Sequence, residues 1–72
     1  MPIRMAPLGE EVEIKRVSMD EEVKRRLESM GIVVGQRVTV LANDGGALVL
    51  KVKDCKVAID ERMASGIFVA CL

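Results

Sequence analysis

The side chains able to do chemistry are few, and their spacing does not gather them. There is no histidine, so the commonest general base is missing. Ser18 and Ser29 fall at an expected helix cap and on a solvated helix face, with no base near them in sequence. The acidic residues are scattered among basic ones and form no isolated carboxylate pair that an apolar pocket could split into acid and base. Cys55 and Cys71 stand far apart, one in a turn and one in an apolar run, whereas structural zinc asks for four Cys or His ligands. Neither Gly31 and Gly35 nor Gly45-Gly46 leads into the Gly-Lys-Ser/Thr ending of a phosphate loop. These residues predict no catalytic set, no metal site and no cofactor.

The charges exclude further classes. Eleven basic and eleven acidic residues cancel, leaving no general pull toward nucleic acid or anionic lipid. Two basic groups stand out locally: Lys24-Arg25-Arg26, and Lys51, Lys53 and Lys56 around one hairpin end. Single-strand binders add stacking aromatics to such charges, but Phe68 is the only aromatic residue. The same shortage disfavours a groove for proline-rich peptides. No apolar run approaches the roughly 18 residues that span a bilayer. The start, MPIRMAPLGEE, has one Arg and too short an apolar stretch for a secretion signal. Two cysteines are too few for a disulfide framework. A soluble intracellular protein is expected.

The elements that must position these residues are legible. EVEIKRV, residues 11–17, alternates over Val12 and Ile14 as a half-buried strand. Ser18 with Glu21 three residues on matches a capping box, and Asp20, Glu21 and Glu22 favour a helix N-terminus. Met19, Val23, Leu27 and Met30 make one apolar stripe; Glu21 and Arg25, Glu22 and Arg26, and Lys24 and Glu28 are spaced to pair on the other face. Gly31 stands where a left-handed residue ends a helix. QRVTVLA, the Asn43-Asp44-Gly45-Gly46 turn and ALVLKVK read as a hairpin. A turn at Lys53-Asp54-Cys55-Lys56, a strand KVAID, one helical turn opened by Asp60 and a last strand IFVACL complete the order.

Five short strands in 72 residues predict a mainly β single domain, a small closed or nearly closed barrel that hides its edges. The core must be aliphatic. Half the residues are apolar, and Met19, Met30 and Met63 suit adaptable contacts. Each Met alone reads as core filling; the apolar excess as a whole favours a protein partner or a self-associating edge.

In this order, PLGEEVEIKRV, RRLESMGIVVGQRVTVL, Gly45-Gly46 before LVLKVKD, and KVAIDERMASGIFV resemble the FeoA family over nearly the whole chain. The resemblance implies an SH3-like barrel over residues 1–72, with the helix inserted after the first strand. It also implies a cytoplasmic, non-enzymatic accessory of FeoB, a membrane transporter of Fe(II) with a cytoplasmic GTP-binding domain. A similar barrel ends iron-dependent repressors like the diphtheria toxin repressor, giving an alternative role as a regulatory module; a nucleic-acid-binding small barrel is another. No helix-turn-helix precedes the barrel in this sequence, which disfavours the repressor role. With no ligand cluster, the chain reads as an adaptor to the transporter and not as an iron carrier. The expected contact is the helix end and its corner: Arg26, Leu27, Met30, Gly31 and Ile32. Leu27 and Met30 are either partly exposed there or fully buried against the barrel. Pairing of the edge strand 67–72 between copies is a further expectation.

Overall fold

The computed structural model describes all 72 residues. Strands β1 (Glu11–Val17), β2 (Arg37–Asp44), β3 (Ala47–Val52), β4 (Cys55–Ile59) and β5 (Ile67–Cys71) form one antiparallel sheet in the order β4-β3-β2-β1-β5. Helix α1 (Glu21–Ser29) follows β1, and the single helical turn α2 (Glu61–Ala64) precedes β5. This is the expected order, with Cys55 opening β4 where the sequence suggests a turn. No ladder joins β4 to β5, so the barrel is nearly closed and keeps two sheet ends. One cluster of fifteen buried residues, all aliphatic, takes side chains from every strand.

Two bulges let the sheet curl around that cluster. Ile14 faces Val69 and Arg16 faces Phe68, which leaves Lys15 as an extra residue in β1. The extra residue reverses the inside–outside alternation, so Val17 packs against the same core as Val12 and Ile14. That explains the uneven spacing of apolar residues in EVEIKRV. Leu41 is the corresponding extra residue of β2, between Val40 and Ala42, and is pushed outward.

The N-terminus of α1 corrects one expectation. Asp20, not Ser18, is the cap: the Val23 N–H donates to Asp20 Oδ1 at 3.0 Å. Ser18 is occupied elsewhere, its backbone N–H donating to the Gly66 carbonyl at 2.7 Å. That approach leaves no room for a side chain on Gly66, where a Cβ would lie 2.5 Å from the Ser18 carbonyl oxygen. The helix ends on Gly31, at φ +87°: its N–H donates to the Glu28 carbonyl, and the Ile32 N–H reaches back to that of Leu27. This pair of bonds is the Schellman ending, completed by apolar contact between the residues at its two ends. Here those residues are Leu27 and Ile32, both in the core cluster.

The charged face of α1 is solvated but unpaired. None of its three expected ion pairs forms; the salt bridges present are Lys15–Glu13 at 3.0 Å and Arg37–Glu11 at 3.9 Å. Exposed pairs gain little in water, so nothing holds these long side chains together.

The first ten residues do more than the sequence suggests. A 3₁₀ turn over Ile3–Met5 drives Ile3 and Ala6 into the core. Gly9 N–H donates to the Val40 carbonyl at 2.8 Å, and Asn43 Nδ2 donates to the Arg4 carbonyl at 2.8 Å, tying the segment to β2. Met1 exchanges backbone bonds with Val69 while Pro2 bridges Phe68, so the outer edge of β5 is already occupied. The expected pairing of strand 67–72 between copies therefore meets a covered edge along Phe68 and Val69. Phe68 itself is half-buried, with the Arg16 guanidinium 4.4 Å from its ring centre.

Two substitutions test these junctions. Gly66→Ala should cost about 3 kcal/mol, the upper range of overpacking. Gly31→Ala should cost about 1–2 kcal/mol for its left-handed backbone, plus any shift of Val52, whose Cγ1 would lie 3.1 Å from the new Cβ. Urea unfolding of each variant measures both.

Candidate partner-binding groove

The corner expected to make contact is split between interior and surface. Leu27 and Ile32 are 0% exposed, so neither can be touched while the protein stays folded. This resolves the choice between exposure and burial for Leu27 in favour of burial. Gly31 is half-buried and carries the Schellman ending. Arg26 is exposed and Met30 half-buried against the core. Beyond them, Val33 and Val34 are exposed apolar residues, Val34 at 62%. The usable surface of the corner is thus Arg26, Met30 and the valine pair.

Arg26 also lines a groove of ≈ 280 Å³ between α1 and α2. Val23 and Met63, both packed against the core from one side, give the groove its apolar part. Asp20 and Asp60 stand at its rim, each capping its own helix: the Met63 N–H donates to Asp60 Oδ1 at 2.8 Å, as Val23 does to Asp20. Their negative charge is partly spent on the helix ends. Arg26 and Arg62, by contrast, form no ion pair. A second depression, ≈ 250 Å³, continues past Asp20, Val23 and Arg62 to Met19 and Gly66. The chemistry on offer is an apolar seat with a rim of mixed charge: the guanidiniums of Arg26 and Arg62, in no ion pair, and the carboxylates of Asp20, Glu22 and Asp60, suited to a segment carrying apolar side chains and charges of both signs.

The hydroxyls of this region serve the helices. Ser29 and Ser65 each donate a hydroxyl to a helix carbonyl three residues back, Arg26 and Arg62, at 2.7 Å. No buried polar or charged residue occurs anywhere in the molecule. No group of three or more His, Cys, Asp or Glu side chains is placed to hold a metal ion; Cys55 and Cys71 are both exposed and free. No helix is long and apolar enough to cross a membrane. The contribution of α2 to the groove was not visible in the sequence.

Comparison with known proteins agrees with this architecture. The family model described as the FeoA domain matches residues 1–71. A protein of Methanocaldococcus jannaschii, provisionally named Fe(2+) transport protein A, is 34% identical over 68 residues, covering 94% of this chain and 83% of its own length. Among solved structures, the crystal structure of an iron uptake regulatory protein, FeoA, superposes with a TM-score of 0.91 at 22% identity, over 100% of this chain and 97% of the other. A manganese-dependent transcriptional repressor superposes with a TM-score of 0.90 at 24% identity, over 100% of this chain but 41% of the repressor. At these identities the structural likenesses speak for the fold alone.

The division of the corner makes a direct prediction. Leu27→Gln should lower stability by about 3 kcal/mol or more, because a buried apolar side chain is replaced by an unsatisfied amide. Arg26→Ala should stay within about 0.5 kcal/mol of the parent. Thermal unfolding followed by circular dichroism separates the two.

Proposed function

The chain belongs to the FeoA family, and from that premise we propose that it is a non-enzymatic accessory of ferrous iron uptake that docks on the cytoplasmic part of a FeoB-type transporter and modulates Fe(II) transport. The observation that carries this reading is the α1–α2 groove, where the partly exposed Val23 and Met63 lie beside two guanidiniums in no ion pair, Arg26 and Arg62, with Asp20, Glu22 and Asp60 also on the rim. Free charge next to accessible apolar surface is what a docking site needs to combine orientation with burial. Arg26 and Met30 make the contact at the helix end. Leu27, Gly31 and Ile32 serve it from inside, by fixing where the helix stops.

The proposed role is that of an adaptor and not of an iron carrier. A second reading is a regulatory module of the kind attached to metal-dependent repressors, whose fold this chain shares. A nucleic-acid role would give retention on DNA that falls steeply with salt.

The test is capture of purified FeoB cytoplasmic region, and of full-length transporter, on this protein immobilised. Retention is expected, with Arg26→Glu weakening it at least tenfold while thermal stability is unchanged. Failure to retain either form of the transporter would overturn the adaptor reading. Retention indifferent to Arg26→Glu and Arg62→Glu would move the contact away from the groove.

A further inference from the structure

The two ends of the sheet are treated differently. Met1 and Pro2 cover the outer edge of β5, but no backbone bond reaches the outer edge of β4. Val52 and Cys55 face one another across the two-residue turn Lys53-Asp54, so they form the hydrogen-bonded pair that closes the hairpin. By alternation Val57 and Ile59 also bond to β3, while Lys56 and Ala58 turn their N–H and C=O groups outward. Side chains alternate too. Lys56 lies in register with Lys51 and Ala58 with Val49 on the outer face, whereas Val57 is half-buried against the core.

The outer face beside this edge concentrates positive charge that the fold does not use. Lys51 and Lys56 stand directly opposite on neighbouring strands, an arrangement that repels. Lys53 follows at the turn with φ +56°, the only non-glycine residue with positive φ. None of the three forms an ion pair. Lys51 and Lys53 also line a shallow depression of ≈ 210 Å³ with Arg37. In a chain whose net charge is zero this corner is net basic: Lys51, Lys53, Lys56 and Arg37 stand against Glu11, which pairs with Arg37 at 3.9 Å, and Asp54 in the turn.

We propose that the outer edge of β4 captures an extended acidic segment of a protein partner by strand addition. The segment's backbone pairs with Lys56 and Ala58. An acidic side chain falls opposite Lys56, in the row of Lys51, and the next residue along covers the half-exposed Val57 with an apolar group. The required pattern is therefore alternating acidic and apolar. Main-chain bonds supply affinity and the alternating side chains supply selectivity. A second copy of this chain is disfavoured, since antiparallel pairing of two β4 edges gathers two Lys51–Lys56 pairs on one small surface. Nucleic acid is disfavoured because β3 and β4 carry no aromatic residue for a base to stack on; the single one, Phe68, lies on β5 beneath Arg16. This surface shares no residue with the α1–α2 groove and stands whether or not that groove docks a transporter.

The test titrates the ¹⁵N-labelled full chain with an end-blocked eight-residue peptide alternating Glu and Val. Binding should shift resonances in residues 51–59 and protect the Lys56 and Ala58 amides from hydrogen exchange. Ala58→Pro removes an outward N–H and no ladder bond, so it should keep the fold and lose the protection. Lys56→Glu should raise Tm by relieving the repulsion, yet weaken peptide binding at least tenfold. The proposal fails if Ala58→Pro binds the peptide as well as the parent, which would mean charge alone. It fails equally if duplex DNA shifts the same resonances at lower concentration, or if sedimentation shows a dimer that Ala58→Pro abolishes.

Discussion

Everything in this molecule depends on keeping water away from fifteen aliphatic side chains that one five-stranded sheet cannot enclose unaided. A domain this short leaves roughly 40% of its unfolded surface exposed even when folded, so its margin is small. With no Trp, no Tyr and a single Phe that is only half-buried and outside the core cluster, no large ring is available to plug a gap. Closure comes from curvature and from lids. The bulges at Lys15 and Leu41 bend the sheet, α1 sets Leu27 and Ile32 over one part of the interior, and the N-terminal segment sets Ile3 and Ala6 over another. The lids are fixed by backbone bonds at a few points, notably Ser18 to Gly66 and Gly9 to Val40.

This division of labour decides which residues are free to meet another molecule. Leu27 and Ile32 are consumed by the core, and the Schellman ending at Gly31 locks them there. Toward the groove the helix offers Glu22, Val23 and Arg26, and α2 brings Arg62 and Met63 alongside. The groove is thus a by-product of two helix N-termini converging near the α2–β5 junction, each satisfied by its own aspartate. Membership of the FeoA family gives the groove its context.

The sheet ends carry the same logic. An unpaired strand edge invites association, and charge is a common way to restrict what may pair there. One edge is covered by the chain's own first residues; the other is left open but guarded by lysines. A guarded edge excludes a like-charged strand and admits an acidic one. Repulsion within the fold and selectivity toward a partner are then two consequences of one arrangement.

The sequence by itself determined the order of elements along the chain, the Gly45-Gly46 hairpin, the position of α1 and the glycine that ends it, because each follows from periodicity or turn chemistry within a few residues. It also supported the family resemblance that the comparisons bear out. It did not determine whether Leu27 was surface or core, that Asp20 and not Ser18 capped the helix, or that residues 1–9 were part of the barrel. Those outcomes rest on partners far along the chain: Gly66 takes the Ser18 backbone, Val69 and Val40 hold the N-terminal segment, and Lys15 shifts the phase of β1 against β5. Periodicity reports which residues prefer to be buried. Only the tertiary structure decides which of them find something to be buried against.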